Sequence, residues 1–574
     1  MKPRLLVVIV TGALLLACGG PPDDAGGPSV APADIVFVGS HIITMDSARP
    51  TATGVAVRGE KIVAVGDRAT VMGRVGDTTR VVDLGDHTLL PGFIDSHGHF
   101  SFTARLIDFV NLSSPPVGSA ENIDDIIALI SQHIAERAIP PGEWVLGYGY
   151  DDSLLAENRH PTRDDLDKAS TDHPIVLMHV SGHLAAVNSA ALAESDIGAG
   201  TNDPPGGVIR RRAGSREPNG VLEESAASRL VFGRLGAIAG ERFETLARKT
   251  TEYYASFGIT TVQDGAATPA DVAALRAAAA KKPFELDIAA YPFATALGVE
   301  GFGDFAQDAE YRGGIRVAGV KFSLDGSPQG RTAWLTEPYT EGPEGAAADY
   351  VAYPTTEPAY YKDRVAKLIS RGVPVLVHAN GDAAMDLMIE GVAEAVADGP
   401  LPDHRSVIIH AQLMRADQVD RAAELGIVPS YFSAHTFFWG DWHRKSFGEA
   451  RAQNISPTRW AADKGVQFTV HNDAPVVPPD MMRLLWATVN RKTRSGHVIG
   501  PHQRLTVKEA LHAMTLGGAY QLFEEANKGS ISVGKQADLV VLATDPLTAD
   551  PDSLKDIPIV ATFSRGKPVF EREL

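Results

Sequence analysis

Pro91-Gly92-Phe93-Ile94-Asp95-Ser96-His97-Gly98-His99 closes an apolar segment with two histidines. The run 89–94 is typical of a short buried strand. Side chains alternate between the two faces of a strand, so we expect His97 and His99 to point the same way from its carboxyl end. Two imidazoles placed like this can bind one metal ion, and Gly98 leaves out a side chain where the backbone must bend.

The bulk composition limits the classes of protein to consider. The chain has 574 residues, of which 44% are hydrophobic and 22% charged, as in globular proteins with more than one domain. Its formal net charge of −18 argues against a nucleic-acid partner or an anionic membrane surface, because both repel an acidic protein. Cys18 is the single cysteine, so a metal site has to be built from His, Asp, Glu and Lys.

The N-terminal segment has the pattern of an export signal. Lys2 and Arg4 precede the apolar run 5–17, which is too short to span a bilayer but suits a signal-peptide core. Leu15-Leu16-Ala17-Cys18 resembles a bacterial lipoprotein cleavage box, although an ordinary secretory signal fits as well. We therefore expect a signal peptide over 1–18, a flexible tether over 19–33, and a lipoprotein anchored at the periplasmic or outer cell envelope through Cys18 alone.

Short alternating strands at both ends of the chain predict a small β domain. Segment 34–90 contains such strands punctuated by turn residues, and segment 530–574 supplies further ones. Neither segment alone has enough strands for a closed core. The sequence thus predicts one composite β-sandwich from both ends.

Between these segments, 91–529 alternates buried apolar strands with helical segments. A regular alternation of this kind predicts an α/β fold, and eight strands predict a (β/α)8 TIM barrel. The predicted barrel strands are 89–94, 258–264, 284–291, 317–322, 373–378, 406–410, 427–431 and 466–471.

A long insertion follows the first predicted barrel strand. It covers about 100–249, far more than an ordinary loop, and it leaves from the strand end where barrel active sites lie. We expect a subdomain at the barrel mouth, with a lid or specificity role as a hypothesis. Within it, Trp144, Tyr148 and His183 are candidate substrate contacts, as is Asn380 in the barrel.

Polar residues end or interrupt several barrel strands, where they should converge in one pocket. These residues are His97, His99, Lys321, His378, His410 and Asp473. Imidazoles with a carboxylate suit zinc, manganese or iron at a hydrolytic centre. A lysine inside a buried strand is costly unless it is paired or modified, and carbon dioxide could convert Lys321 into an anionic carbamate that bridges two metals.

The order of these residues, together with the flanking segment 534–540, resembles the amidohydrolase superfamily. The segments 321–326, 378–382, 410–412 and 473–476 resemble its YtcJ-like group, which contains N-substituted formamide deformylase. The resemblance covers about 34–570 and implies one or two divalent ions, most simply Zn2+. It implies the following metal ligands: His97, His99, a carbamylated Lys321, His378, His410 and Asp473, the last acting also as general base.

Two positions depart from the pattern of these relatives. Ile409 stands where relatives often have Glu, and His471-Asn472 where they often have Gly-Ser. A structural role is expected for His471, with a contact to a ligand or the substrate as alternatives. His160 and His443 are expected to be solvated loop histidines, with His41, His87, His133 and His502.

The resemblance implies a metal-dependent hydrolase that cleaves an exocyclic C–N bond of an N-acyl or N-formyl small molecule. A water made nucleophilic by the metal would attack the carbonyl carbon. Opening of a cyclic amide, or cleavage of a carbamate or ester, is an alternative on the same frame. A lipid-anchored solute receptor without catalysis is a further alternative, and a homo-oligomer is compatible with all of these functions.

Overall fold

The computed structural model describes residues 31–152, 154–180, 182, 184–204, 207–236, 238–343, 346–397 and 399–572. The predicted signal peptide, Cys18, most of the tether and His183 lie outside these residues. In the described ranges, no helix combines the length and apolar character needed to cross a membrane.

The strands fall into four groups along the chain. The first group is β1 Ile35–Ile43, β2 Thr51–Arg58, β3 Lys61–Gly66, β4 Arg80–Asp83, β5 Thr88–Pro91 and β6 Phe93–Asp95. The second is β7 Val110–Asn111, β8 Val145–Tyr150, β9 Ile175–His179, β10 Leu184–Val187, β11 Gly207–Arg211 and β12 Pro218–Glu224. The third is β13 Ile259–Ala267, β14 Asp287–Pro292, β15 Ile315–Val317, β16 Val320–Ser323, β17 Val375–Ala379, β18 Val407–His410, β19 Val428–Tyr431 and β20 Thr469–Val470. The last is β21 Leu539–Leu542, β22 Ile559–Ser564 and β23 Lys567–Glu571.

Helices connect most of these strands. In the first half of the chain they are α1 Arg68–Met72, α2 Phe100–Leu106, α3 Ile123–Glu136, α4 Arg163–Leu166, α5 Ser189–Glu194, α6 Ser225–Gly236, α7 Gly240–Ala255 and α8 Pro269–Lys281. In the second half they are α9 Gly298–Gly303, α10 Pro358–Ile369, α11 Asp382–Ala395, α12 Ala416–Leu425, α13 His435–Phe438, α14 Gly440–Phe447, α15 Glu449–Ala452, α16 Thr458–Asp463, α17 Met481–Asn490, α18 Val507–Met514 and α19 Leu516–Gln521. Short 3-10 turns cover Ala294–Leu297, Pro501–Gln503 and Pro551–Asp556.

The chain forms two compact units. One contains the described residues up to Phe100, Thr251–Ala474 and the described residues from Pro479 onward. The other contains Ser101–Thr250 and Pro475–Pro478. This second unit has its own six-stranded sheet in the order β11-β12-β10-β9-β8-β7, in which β7, β8 and β9 run parallel.

Strands from both ends of the chain form one eight-stranded sheet in the first unit. Its order is β23-β22-β21-β5-β1-β2-β3, and β4 pairs with β1. The antiparallel pairing of β21 with β5 joins the two ends of the chain, with Val540 opposite Leu90. One buried apolar cluster includes Phe37, Leu539 and Phe563 from both ends. The two layers of the predicted sandwich stay a prediction.

The barrel region contains parallel strands throughout, arranged in two sheets. One has the order β15-β14-β13-β6 and the other the order β16-β17-β18-β19-β20. Apolar side chains from both sheets meet in one buried cluster that includes Ile94, Tyr291, Leu376, Val407 and Val428. The fold is therefore TIM-barrel-like, although the described strands do not hydrogen-bond into one closed sheet.

Two of the predicted barrel strands are divided. The predicted strand 89–94 breaks at Gly92, where a Cβ would lie 2.4 Å from Thr260 Cγ2, and its halves β5 and β6 join different sheets. The predicted strand 317–322 breaks at Gly319, where a Cβ would lie 2.3 Å from the Pro374 carbonyl oxygen. Its halves are β15, which pairs with β14, and β16, which pairs with β17. In both places the backbone passes too close to a neighbour for a side chain.

Candidate metal centre

Three of the predicted ligands meet where the segments after β6 and β20 run side by side. The Asp473 amide donates to the His97 carbonyl at 3.1 Å, and the His99 amide donates to the Ala474 carbonyl at 2.8 Å. Asp473 Oδ1 consequently lies 3.1 Å from His99 Nε2 and 3.5 Å from His97 Nε2. One potential ligand atom from each of the three residues lies within 4.8 Å of the others, a separation that one ion can bridge.

The other three predicted ligands continue this cluster from β16, β17 and β18, where Lys321 lies inside its strand and His378 and His410 lie at or next to the ends of theirs. Lys321 Nζ lies 3.2 Å from His97 Nε2. His378 Nδ1 lies 3.0 Å from His410 Nε2, and the His97 and His410 rings are 5.7 Å apart. The structure thus brings together all six residues that the sequence nominated. Among them, His99 and His378 keep about a fifth of their side chains exposed, 23% and 21%, so the cluster opens to solvent at these two.

The backbone at two of these residues adopts a conformation that non-glycine residues rarely take. His410 has φ 77° and Asp473 has φ 60°, and Ala411 follows at φ 47°. Each such residue costs of the order of 1–3 kcal/mol and persists only where the surrounding structure imposes it. Backbone strain of this kind is typical of functional sites.

The His97 ring occupies the space where a side chain on residue 265 would lie, and this residue is a glycine. A Cβ on Gly265 would lie 2.3 Å from His97 Cε1 and 2.6 Å from His97 Nδ1. The Gly265 amide also donates to the Gly98 carbonyl at 2.7 Å, which fixes this close approach. A glycine is therefore required on the strand beside the first histidine.

A chain of hydrogen bonds determines which nitrogen of His410 is bare. Gln521 Nε2 donates to the Ser96 carbonyl at 2.8 Å, so its Oε1 accepts the one hydroxyl proton of Thr469, at 2.8 Å. The Thr469 oxygen then accepts from Ser430 Oγ at 2.7 Å, and Ser430 Oγ accepts from His471 Nδ1 at 2.8 Å.

The same chain ends at the cluster itself. His471 Nδ1 carries the proton, so its Nε2 is bare and accepts from His410 Nδ1 at 3.2 Å. His410 Nε2 is therefore left with a lone pair facing the cluster. His471, which is fully buried, thus contacts a predicted ligand rather than only filling space.

His378 is oriented by the loop that follows β16. Its Nε2 lies 3.1 Å from the Gly326 carbonyl oxygen and 3.4 Å from Asp325 Oδ1, two acceptors, and 3.1 Å from one donor, Asn380 Nδ2. The Nε2–H tautomer satisfies both acceptors and leaves Nδ1 bare. Two bare nitrogens, His378 Nδ1 and His410 Nε2, then face each other at 3.0 Å with no proton between them. Two lone pairs at this distance repel unless a cation lies beside both, so the donor set fits a divalent metal ion.

Burial sets the protonation states in the cluster. It lowers the pKa of His378 to about 4, and it holds the pKa values of His97 and His410 well below their usual range. These imidazoles are therefore neutral, the form that binds metals. Burial also lowers the pKa of Lys321 to about 7. For Asp473, burial raises the pKa, but the hydrogen bond and charge of His99 outweigh it, and the net pKa is lowered.

Asp325 is a residue that the sequence reasoning missed. Its fully buried carboxylate accepts from the backbone amides of Trp334, Asn380 and Gly381 at 2.7–3.0 Å, which fixes the turn after His378. Its Oδ1 lies 3.4 Å from His378 Nε2. The only signal was its position inside the segment 321–326, since an isolated Asp after a strand has no distinctive spacing.

The candidate substrate contacts occupy various places. Asn380 Nδ2 donates to the Gly326 carbonyl at 3.0 Å, beside His378. Trp144 and Tyr148 belong to the second unit, where both pack against its apolar core and the Arg234 guanidinium lies 3.6 Å over the Trp144 ring. His183 lies outside the described residues. The substrate-binding role of these four residues stays a prediction.

Two histidines are less exposed than the sequence suggested. His443 is completely buried beside His435 and Phe447, so its assignment to solvated loops was wrong. His160 keeps 11% of its side chain exposed, so the same assignment was wrong for it too. His443 lies in the short helix α14, and His160 lies three residues before the start of α4.

Comparisons with known proteins identify the relatives of this chain. The model of the family described as "Amidohydrolase family" matches residues 80–570. N-substituted formamide deformylase of Arthrobacter pascens is 30% identical over 94% of this chain and 98% of its own length. The protein YtcJ of Bacillus subtilis is 26% identical over 94% of this chain and 99% of its own length.

A solved structure supports the fold independently. An uncharacterized metal-dependent hydrolase of Pyrococcus furiosus superposes with a TM-score of 0.71 at 23% identity and covers 90% of this chain and 100% of its own. This likeness concerns the fold. The family match spans most of the chain, so the chain belongs to the amidohydrolase family and is a hydrolase of the YtcJ and N-substituted formamide deformylase group.

Proposed function

We propose that this protein hydrolyses the exocyclic amide bond of an N-acyl or N-formyl small molecule with the help of one or two divalent metal ions, zinc in the first instance. The observation that carries hydrolysis is the convergence of bare His378 Nδ1 and His410 Nε2 with the His97, His99 and Asp473 cluster. The substrate class rests on the relative named N-substituted formamide deformylase.

The side chains of the cluster divide into ligands and a proton carrier. A divalent ion, when bound, supplies positive charge that acidifies a water and polarises a carbonyl group. His97, His99, His378 and His410 would hold it through their imidazole nitrogens. Asp473, ionised at neutral pH, accepts a proton from the attacking water and passes it to the leaving nitrogen, so it acts as base and then acid.

Lys321 is proposed to carry a carbamate. The residue is 3% exposed and its Nζ lies against the His97 ring, where an ammonium ion would repel a metal. Addition of carbon dioxide to the neutral amine forms an N–C bond, releases one proton and leaves an anionic oxygen ligand. Lys321→Ala should lose bound metal, and short carboxylic acids such as formate or acetate should restore part of it. A variant with unchanged metal content would contradict the carbamate.

The reaction is tested with substrates from several classes. The zinc- or manganese-loaded protein should release amine from N-alkylformamides or N-acyl amino acids faster than it opens lactams or cleaves carbamates and esters. Asp473→Asn keeps the shape of the side chain but removes the base, and turnover should fall by roughly 100-fold or more while the fold persists. Full turnover by this variant would refute the assignment of Asp473.

Export as a lipoprotein is proposed from the sequence alone. Lys2, Arg4 and the run 5–17 support a signal peptide, and Cys18 supports lipidation. Labelled palmitate should be incorporated by the natural chain expressed in a bacterium, and Cys18→Ser should abolish incorporation. Equal labelling of both chains would refute the anchor. The proposed partners are a small-molecule amide, the membrane only through this anchor, and a second copy of the chain.

A further inference from the structure

A second cluster of metal-binding side chains lies in the second unit, and nothing in the proposed reaction uses it. It consists of Asp152, His160 and His179, each of which offers a ligand atom within 4.8 Å of those of the other two. All three residues belong to the second unit. We propose that this cluster is a further binding site for a divalent metal ion of the zinc type.

Two parallel strands bring the first two members together. His179 is the last residue of β9, and it pairs with Tyr150 at the end of β8, two residues before Asp152. The Val180 amide donates to the Tyr150 carbonyl at 2.9 Å and holds the two strand ends side by side. Because carboxyl ends of parallel strands share one edge, His179 Nε2 comes to lie 2.9 Å from Asp152 Oδ1.

The third member comes from an anchored loop. His160 Nε2 lies 3.7 Å from the other carboxylate oxygen, Asp152 Oδ2. Arg159 donates to the His160 carbonyl at 2.9 Å and also to Asp165 at 2.7 Å. Asp165 in turn accepts from the backbone and hydroxyl of Thr162 at the start of α4. The loop is thus tied to a helix terminus, and it presents His160 to the carboxylate.

The distances between the three side chains and their protonation states suit a bound cation. Two ligand atoms that each lie about 2.1 Å from a tetrahedral zinc ion lie about 3.4 Å from each other. The distances from Asp152 to His179 Nε2, 2.9 Å, and to His160 Nε2, 3.7 Å, lie on either side of this value. Burial lowers the pKa of His160, so its imidazole is neutral, and His179 lowers the pKa of Asp152, which stays ionised. The Asp152 side chain is 32% exposed, which gives an ion and its waters a route in.

Tyr150 acts as an outer partner of the cluster. Its hydroxyl lies 3.3 Å from His160 Nδ1, which leaves His160 Nε2 directed at Asp152. Its ring stands edge-on to the His179 ring, 5.1 Å between centroids. Metal-binding histidines commonly use their second nitrogen in this way, which fixes the ring and the tautomer.

Metal content tests the proposal without reference to the reaction. The chain is dialysed against buffer with a fixed free zinc concentration, and bound zinc is measured by mass spectrometry. Asp152→Asn, which keeps the size of the side chain, should bind about one zinc fewer per chain than the natural protein. His502→Gln is the matched control, because His502 lies on the surface and bonds to Asn454 instead. A folded Asp152→Asn chain with unchanged zinc content would overturn the site.

Cobalt binding provides a second test, which can still be carried out if the Asp152→Asn chain does not fold. In a chain with His97→Asn and His99→Asn, the first centre is disabled, and Co2+ should still produce visible d–d absorption. Adding His179→Gln to this chain should remove the visible absorption. Adding Tyr150→Phe instead should raise the Co2+ dissociation constant about 10-fold. If the chain with the first centre disabled binds no cobalt, the three residues form only an ion-paired cluster and the proposal fails.

Discussion

His471 shows how one residue outside the ligand set can control a ligand. Its Nε2 accepts the His410 Nδ1 proton at 3.2 Å, and it is the last link of a chain that begins at the Ser96 carbonyl, next to His97. The chain therefore connects the backbone beside one ligand to the tautomer of another.

We predict that His471→Phe weakens metal binding by about 10- to 100-fold, because His410 loses the acceptor that fixes its tautomer. Equilibrium dialysis with Zn2+ measures this change. His471→Gln keeps an acceptor oxygen and should restore much of the affinity. If Phe and Gln give equal affinities, His471 serves packing alone.

Gly265 gives a second prediction at this scale. Gly265→Ala would put a Cβ within 2.6 Å of two atoms of the His97 ring, and the strand cannot retreat because its amide donates to the Gly98 carbonyl. His97 must then rotate, so metal content and turnover should fall at least 10-fold while circular dichroism stays unchanged. Gly233→Ala is the control, since Gly233 is exposed in helix α6 and nothing lies within 4 Å of its Cβ position. Full metal content in the Gly265→Ala chain would contradict this geometry.

At the scale of elements, a buried ion-pair network ties barrel strand β14 to the C-terminal segments. Lys528 Nζ donates to Asp287 at 2.6 Å, and Arg565 pairs with the other oxygen of Asp287. Lys528 and Asp287 are both almost completely buried, 2% and 3% of their side chains being exposed. Gln536 donates to Asp287 as well, at 3.1 Å. The network makes the position of the terminal segments dependent on the barrel.

We predict that Lys528→Met lowers the free energy of unfolding by about 3–5 kcal/mol, because it leaves the Asp287 charge with one cationic partner fewer in a buried place. Denaturant unfolding of the metal-loaded chains measures it. Lys555→Met is the control, since Lys555 forms an exposed pair with Asp556. A loss below about 1 kcal/mol would show that water reaches the network.

The same network predicts a pH dependence. Burial raises the pKa of Asp287, but Lys528 and Arg565 outweigh it and the net pKa is lowered. A carboxylate with a lowered pKa stabilises the fold above its unfolded value of about 3.9 and loses this contribution as the pH falls through its folded value. The stability difference between the natural chain and Lys528→Met should therefore shrink below about pH 4. A difference that stays constant down to pH 3 would rule out ionised Asp287 as its source.

At the scale of the whole molecule, the candidate metal centre joins residues of β16, β17 and β18 with residues that follow β6 and β20. Removing the ion with a chelator should leave bare nitrogens facing one another, His378 Nδ1 and His410 Nε2 at 3.0 Å. A ligand present at about 100 times its dissociation constant stabilises a fold by about 2.7 kcal/mol. We predict a lower melting temperature after chelation and its recovery on adding Zn2+ or Mn2+. The His97→Asn/His99→Asn chain is the control, and an equal loss on chelation there would place the stabilising ion elsewhere.

The sequence alone determined the family, and it predicted the six residues that the structure brings together; their role as metal ligands stays a prediction. His97, His99, Lys321, His378, His410 and Asp473 stand at ends or breaks of apolar strands, and local alternation of side chains makes that pattern visible without coordinates. The parallel strands and the joining of both chain ends were predictable for the same reason.

Only the tertiary structure decided how these parts meet. The strand breaks at Gly92 and Gly319, the tautomer chain through His471 and Gln521, the support of His378 by Asp325, and the Asp152 cluster all depend on contacts between distant segments. The direction of a hydrogen bond and the close approach of two groups depend on which atoms meet in space. The spacing of residues along the chain does not predict which distant atoms will meet.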